Sequence, residues 1–394
     1  MKKNFYSLIF AQNYVTYHSS MYSEFFKKSN KKSIVIYEDP SGKSERIEKR
    51  WNSKINWGID LTKGFKSLLI KNYSANSYSA GFFSRANYQI PFIINKVRPK
   101  KIFFQGYADL SSWLILISSF LFRIKSINWK GERTLKKGEK ISFLKKTILK
   151  IFFFNFCHKI FYSCGGNLKY LNQFNLNKDK LFPMNCSVNN KFFRENYKKN
   201  KLNKDYIKKK MNISKKAKVI IVVSNFEKRK NIKALLNILP FIRDKNIQLL
   251  IVGNGNYKMD IEKSHNIFRD RIKLSGFIDI NKISEYYTIS DLFVLLSEYD
   301  PSPKTLNEAL NFGLPCIVSR ELGTSSDLIK DGVNGFVLNS SNKYKVLKYI
   351  DRVFSDTLIK DKCLIFNKNK LKHYSPEQNA DALFPEKRFS DINK

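Results

Sequence analysis

Asp300 and Glu308 are two acids eight positions apart, and between them lies Ser302-Pro303-Lys304-Thr305, which carries the marks of a helix start. Ser302 suits an N-cap, and Pro303 suits the first helical position, where a missing N–H costs nothing. A helix N-terminus presents unpaired amides and a partial positive charge. The amides of Lys304 and Thr305, with the Lys304 ammonium beside them, therefore suit a phosphate. Carboxylates repel phosphate, so Asp300 on the loop and Glu308 further along the helix suit hydroxyl groups instead. Phosphate and hydroxyls together describe a nucleotide-sugar. For Glu308 a solvated helix position is the plain alternative.

These residues need elements to hold them. Leu292–Leu296 is an apolar run of strand length, Leu306, Ala309 and Leu310 form an apolar stripe at helical spacing, and Gly313 ends that helix. Pro315 precedes a second short strand, Cys316–Ser319. Strand, loop, helix and strand in that order form the unit of a parallel α/β sheet. The same alternation runs through the chain. Strands are expected at Ser7–Phe10, Ser33–Tyr37, Lys101–Phe104, Lys125–Trp129 and Lys159–Ser163, and again at Lys218–Ser224, Gln248–Gly253 and Arg271–Ser275. Helices are expected between them, among them Tyr17–Lys28, Ser111–Phe122, Ile141–Phe154 and Lys282–Ile289. The basic, polar stretch 195–216 reads as a connector.

The stretch around Asp300 and Glu308 resembles the signature of retaining glycosyltransferases of the GT-B fold, specifically family 4. That signature has two acids with seven residues between them and then a Gly-Leu-Pro turn, here Gly313-Leu314-Pro315. The family usually carries Glu at the first acid, where this chain has Asp300. The resemblance implies an α/β protein of two Rossmann-like doubly wound domains facing across a cleft. Residues 1–195 would form the acceptor-side domain and 196–373 the nucleotide-sugar domain. Residues 374–394 would carry a helix returning toward the first. It also implies that Asp300 contacts donor-sugar hydroxyls and that Glu308 holds the ribose. Lys230 matches the lysine of a family Arg and Lys pair. The arginine falls on Asn225, with Lys228 or Arg229 at hand to supply the charge. His18 stands just past the first strand, where the family often has a histidine near the donor phosphates and the acceptor, though the usual glycine pair is missing. A capping or surface histidine is the other reading.

Further candidates follow predicted strands. Gly253 and Gly255, in Gly-Asn-Gly, and Gly276 with Phe277 bring backbone toward a nucleotide or are simple turn residues. A lone Gly-x-Gly is weak as a dinucleotide motif, because Lys258 stands where the third glycine belongs. Gln105, Gly106, Tyr107 and Glu132 suit acceptor contacts or loop caps. Donor binding is thus expected from Lys230, Gly253, Gly255, Gly276, Phe277, Ser302, Pro303, Lys304, Thr305 and Glu308. Catalysis is expected from His18, Asp300 and Glu308.

The chain has 394 residues, is 43% hydrophobic and carries a formal net charge of +39. Such a charge calls for an anionic partner: phosphorylated substrate, anionic membrane or nucleic acid. Part of it reflects a residue usage rich in Lys, Asn, Ile and Phe. Residues 136–156 mix lysines with aromatic and aliphatic residues. They suit either the surface of an anionic bilayer or a core helix burying Phe143, Leu144, Ile148 and Ile151. No apolar run reaches the roughly 18 residues of a membrane span, and the N-terminus lacks the apolar run of a signal peptide. Five cysteines without paired spacing read as free buried thiols in a reducing compartment.

The reading these features support is a retaining hexosyltransferase peripheral to the inner face of the plasma membrane. It would move a sugar from a nucleotide-sugar to a lipid-linked or saccharide acceptor in bacterial surface polysaccharide assembly (O-antigen, capsule or lipopolysaccharide). No cofactor or metal is expected, since the helix end, Lys230 and Lys304 could neutralise the leaving diphosphate. A nucleic-acid-binding protein, or a sugar-nucleotide epimerase on the same fold, are the alternatives.

Overall fold

The computed structural model describes residues 5–43, 46–48, 53–55, 57–74, 81–340, 342–356 and 358–385. The chain divides into two compact units. One comprises Met1–Ser44, Asp60–Asn185 and Tyr374–Lys394, the other Glu45–Ile59 and Cys186–His373.

The first unit is built on seven parallel strands: β1 (Ser7–Ala11), β2 (Ser33–Tyr37), β3 (Ser67–Leu69), β4 (Lys101–Gln105), β5 (Ser126–Gly131), β6 (Lys159–Tyr162) and β7 (Leu181–Pro183). Their order is β3-β2-β1-β4-β5-β6-β7. A parallel sheet is covered on both faces, so its central strands are continuous apolar runs rather than alternating ones. SLIFA of β1 is buried at all five positions. Where β1 meets β4 the order reverses, and the loops leaving these two strands diverge.

Helix α1 (Thr16–Lys28) follows β1. Helix α2 (Leu110–Leu121) follows β4 and is capped by Asp109, whose carboxylate accepts from the Ser112 amide at 3.0 Å. Helix α3 (Phe143–Phe152) follows β5. It is shorter than the expected Ile141–Phe154 and does not do what a core helix would. Phe143, Leu144, Ile148 and Ile151 are exposed, and Leu149 is the residue it buries. Phe153 and Phe154, just past its end, fill the core instead, with Phe154 edge-on to Trp129 at 5.1 Å.

The second unit holds six parallel strands: β8 (Lys218–Val223), β9 (Ile247–Val252), β10 (Ile272–Leu274), β11 (Leu292–Leu295), β12 (Cys316–Ser319) and β13 (Gly335–Leu338), in the order β10-β9-β8-β11-β12-β13. Here the reversal falls between β8 and β11. Helix α4 (Ile280–Ile289) is capped by Asp279, which accepts from the Asn281 amide at 2.9 Å. Helix α5 (Lys304–Asn311) follows β11. The final helix α6 (Pro376–Leu383) belongs to the first unit. There Asn379 donates to the Asn185 carbonyl at 2.9 Å, and Phe384 lies edge-on to Phe25.

Two expectations are corrected. The stretch 195–216 is not a connector, because helices Asn190–Lys201 and Lys204–Lys210 run through it. Phe193 and Ile207 anchor them, and Lys208 is buried, its ammonium donating to the Ala217 carbonyl at 2.6 Å. The unit boundary therefore falls at Asn185–Cys186, not at 195–196. Residues 45–59 join the second unit despite their place in the first half. Gly58 accepts from the Asn281 side chain at 3.0 Å, and Trp57 lies edge-on to Phe277 at 6.0 Å. Residues 386–394 of the expected tail lie outside the described residues. The five cysteines are free and buried.

The loops after β8, β9 and β10 are tied backbone to backbone. Phe226, after β8, donates to the Asn254 carbonyl at 2.9 Å, and Gly253, after β9, donates to that of Gly276, after β10, at 2.8 Å. A Cβ on Gly253, at φ +142°, would sit 1.9 Å from the Ser224 carbonyl oxygen. Gly253→Ala is therefore expected to cost about 3 kcal/mol of stability in urea denaturation. Gly138→Ala, at φ +75° with no atom within 4 Å of the new carbon, is the comparison and should cost only about 1 kcal/mol.

Candidate active site

In an open parallel sheet, ligands bind beyond the carboxyl ends of the strands where the order reverses, because the diverging loops leave that end uncovered. Each unit has one such point, and the candidate residues gather there.

In the second unit, the loop after β8 carries Lys230 and the loop after β11 carries Asp300. Their side chains form an ion pair, both nearly buried. Residues expected to hold different parts of a donor thus hold each other. Arg229 does not stand in for the missing family arginine as a free cation. It donates to the Tyr299 carbonyl at 3.0 Å and pairs with Glu227 at 2.6 Å, tying the two loops together. The Glu298 amide returns a bond to the Arg229 carbonyl at 2.8 Å.

Helix α5 begins one residue later than expected. Pro303 occupies the cap position and Lys304 the first helical one. The Ser302 hydroxyl accepts from the Lys304 ammonium at 3.0 Å, and no side chain caps the helix. Leu306, Ala309 and Leu310 pack into the core. Two buried asparagines then fix the helix's rotation. Asn307 donates to the Cys186 carbonyl at 2.9 Å, and Asn311 donates to the Asn190 side chain at 2.9 Å. What remains is the face carrying Glu308. Its carboxylate accepts from the Tyr287 hydroxyl of α4 at 2.8 Å, and Tyr287 is itself wholly buried. Burial pushes the Glu308 carboxyl up to about 7, with the Tyr287 hydrogen bond pulling the other way.

Gly253 and Gly255 lie at the end of β9, packed on the loop after β8, and their shape serves that contact. Gly276, at φ +64°, faces open space, and Phe277 is half-buried against Trp57. A separate cavity in this unit is lined by Phe226, Ile232, Leu236, Tyr257 and Ile261 among others, and it includes none of the predicted donor residues.

In the first unit, one pocket gathers every acceptor-side candidate. His18, Gln105, Gly106, Tyr107 and Glu132 all line it. Gln12 bridges the two loops at the reversal by donating to the Gln105 carbonyl at 3.1 Å. Gly106, at φ +80°, leaves room for the Gln12 amide, which a Cβ would meet at 2.4 Å. Trp129 donates to the Gly106 carbonyl at 2.6 Å. His18 is nearly buried, edge-on to Tyr17 at 4.5 Å. Glu132 pairs with buried Lys130 at 2.9 Å. His18 thus belongs to one unit and Asp300 with Glu308 to the other. Sequence reasoning missed Gln12, Trp129, Lys130, Tyr287, Asn307 and Asn311, all of which act by orienting others.

Comparison with known proteins gives a partial match. Residues 203–373 match the model of the family glycosyl transferases group 1, less than half of the chain. The uncharacterized glycosyltransferase MJ1607 of Methanocaldococcus jannaschii is 29% identical over 143 residues, 35% of this chain and 36% of that protein. The chain therefore matches only about a third of that relative's length. Among solved structures, Anabaena Alr3699/HepE in complex with UDP is similar with a TM-score of 0.73 at 12% identity, covering 97% of this chain and 98% of that one. WaaG, a glycosyltransferase involved in lipopolysaccharide biosynthesis, is similar with a TM-score of 0.66 at 11% identity, covering 96% and 100%. The fold is GT-B, two Rossmann-like units, as the resemblance implied. Among the described residues, no helix is long and apolar enough to cross a membrane, and no group of three His, Cys, Asp or Glu could hold a metal ion.

The Glu308 carboxyl yields a pH prediction. Its folded value, about 7, lies above the ordinary carboxylate value of 4.5, so the folded state holds the proton more tightly. Its contribution to stability is present at low pH and is lost as pH rises through 7. Glu308→Gln should therefore lose less stability than wild type between pH 5 and pH 8, by roughly 2 kcal/mol in urea denaturation.

Proposed function

We propose that the protein is a retaining glycosyltransferase that moves a sugar from a nucleotide-sugar donor onto a lipid-linked or saccharide acceptor in bacterial surface-polysaccharide assembly. The observation that carries this reading is Glu308 of α5, held by Tyr287 of α4 after the strand-order reversal of the second unit, on the same side of the sheet as the Lys230–Asp300 pair, within the region that matches glycosyl transferases group 1. Support for the donor class comes from the similarity to a protein solved with UDP. Support for the setting comes from the similarity to a protein of lipopolysaccharide biosynthesis.

In this reading the first turn of α5 and the Lys230 and Lys304 ammonium groups face the donor's diphosphate. As the bond from the sugar's anomeric carbon to phosphate breaks, its electron pair stays on the phosphate oxygen, and these groups carry the new charge without a metal. Glu308 accepts from the ribose hydroxyls through the oxygen that Tyr287 leaves open. Asp300 keeps Lys230 in place and receives sugar hydroxyls. The acceptor lies in the first unit's pocket among Gln105, Gly106, Tyr107 and Glu132. The acceptor hydroxyl attacks the anomeric carbon and passes its proton to the departing phosphate oxygen, and His18 hydrogen-bonds the reacting groups. The apolar, lysine-flanked surface of α3 supports peripheral attachment to the inner face of an anionic membrane.

A thermal-shift screen against UDP-, GDP- and ADP-sugars tests the donor. One nucleotide series should raise the melting temperature, since a ligand at a hundredfold excess over its Kd adds about 2.7 kcal/mol. Glu308→Ala should lower affinity for that series by roughly tenfold or more and abolish transfer of radiolabelled sugar. Wild-type transfer by Glu308→Ala would overturn the assignment.

A further inference from the structure

The polar pocket of the first unit does not end at Tyr107 and Ala108. The same two residues also line a second groove, whose character is different. Its walls are Phe82, Leu144, Ile148 and Leu149, with one cation, Lys145. It opens onto the outward face of α3, where Phe143 is 84% exposed and Leu144 68%. Exposed Phe120 of α2 touches Phe156, just past α3, at 4.8 Å. Lys146 and Lys150 stud the same helix.

The order of chemistries is directional. Exposed hydrocarbon leads to an apolar groove, then to cations, then to hydrogen-bonding groups. At the join stand Lys145 on the groove side and Arg133 on the pocket side. The Arg133 guanidinium donates to the Tyr107 hydroxyl at 3.4 Å and pairs with Glu139. Arg133 also lowers the proton affinity of the Lys145 ammonium, second to burial, and Glu139 offsets this only in smaller part, so the two cations lie close enough to repel. An anion between them relieves that repulsion. Apolar surface left uncovered at this scale needs an apolar occupant, and the cations at its inner end call for one with an anionic head.

We propose that this groove takes the hydrocarbon chain of a lipid-linked phosphate or diphosphate acceptor, whose charged group sits at Arg133 and Lys145 and whose sugar enters the pocket of Gln105 and Glu132. The assignment rests on the acceptor reading of that pocket and narrows it from any saccharide to a lipid-borne one. A free saccharide or nucleic-acid strand makes no use of the aliphatic Leu144 and Ile148.

The test is calorimetric titration of the full chain with dodecyl phosphate, kept below its micelle-forming concentration. Inorganic phosphate and vesicles of anionic phospholipid are titrated in parallel. Saturable binding of one dodecyl phosphate per chain is expected, with no measurable heat from inorganic phosphate. Leu144→Asp with Ile148→Asp should weaken dodecyl phosphate binding roughly tenfold or more by placing charge against the chain. Lys145→Glu should weaken it too. Both variants should keep the wild-type melting temperature and the wild-type response to nucleotide-sugars. If the double variant melts early, Leu144→Asp alone, at a largely exposed position, makes the same comparison. Unchanged affinity in these variants overturns the proposal, and so does binding to vesicles with none to monomeric dodecyl phosphate, which marks a membrane contact only. The donor screen is read separately, so a failure of the glycosyltransferase reading and a failure of the groove are distinguishable.

Discussion

The constraint on which the molecule depends is the reversal of strand order in a parallel sheet. All strands of a parallel sheet have their carboxyl ends along one edge, and crossover helices cover the faces but not that edge. Between β8 and β11 the chain leaves in opposite directions, so the end of the sheet stays open. The Lys230–Asp300 pair spans that gap, and Arg229 reinforces it through the Tyr299 carbonyl. The first unit meets the same constraint at β1 and β4 with a neutral tie, Gln12 to the Gln105 carbonyl.

Much of this was legible in the sequence because it is local. The apolar runs of β1, β8 and β11 are buried on both faces and have no polar alternation to confuse them. The start of α5 is written in Ser302-Pro303, to within one residue. Asp300 and Glu308 stand where a loop and a helix of fixed pitch place them. The acceptor-side candidates were found by a single rule, that polar residues after a predicted strand face the sheet's open end.

What was not legible is long-range. The Lys230–Asp300 pair joins residues 70 positions apart, and the bond from Asn307 to the Cys186 carbonyl joins residues 121 apart. Nothing in their types announces either. The stretch 195–216 misled because its lysines mask two apolar anchors, Phe193 and Ile207, and because a buried lysine such as Lys208 is rare enough to be discounted. Residues 45–59 misled because membership of a unit is decided by contacts, here Gly58 with Asn281, and not by order along the chain. Edge strands β3 and β7 are three residues each, too short to show a period.

The excess of basic residues is the last feature to place, and its surroundings decide its meaning. Lys208 is spent on main-chain carbonyls, Arg229 on a loop, and Lys130 on Glu132. These are structural uses and imply no partner. The lysines of α3 are different, because they alternate with side chains that burial would ordinarily claim. A soluble helix gains nothing by exposing Phe143 and Leu144 to water, and core packing had a ready alternative in turning them inward. That the core is filled instead by Phe153 and Phe154, from beyond the helix's end, leaves the apolar face of α3 available for something outside the protein. Hydrocarbon flanked by cations is the complement of an amphiphile with a negative head, and the groove that runs from this face to Tyr107 gives such a molecule a direction.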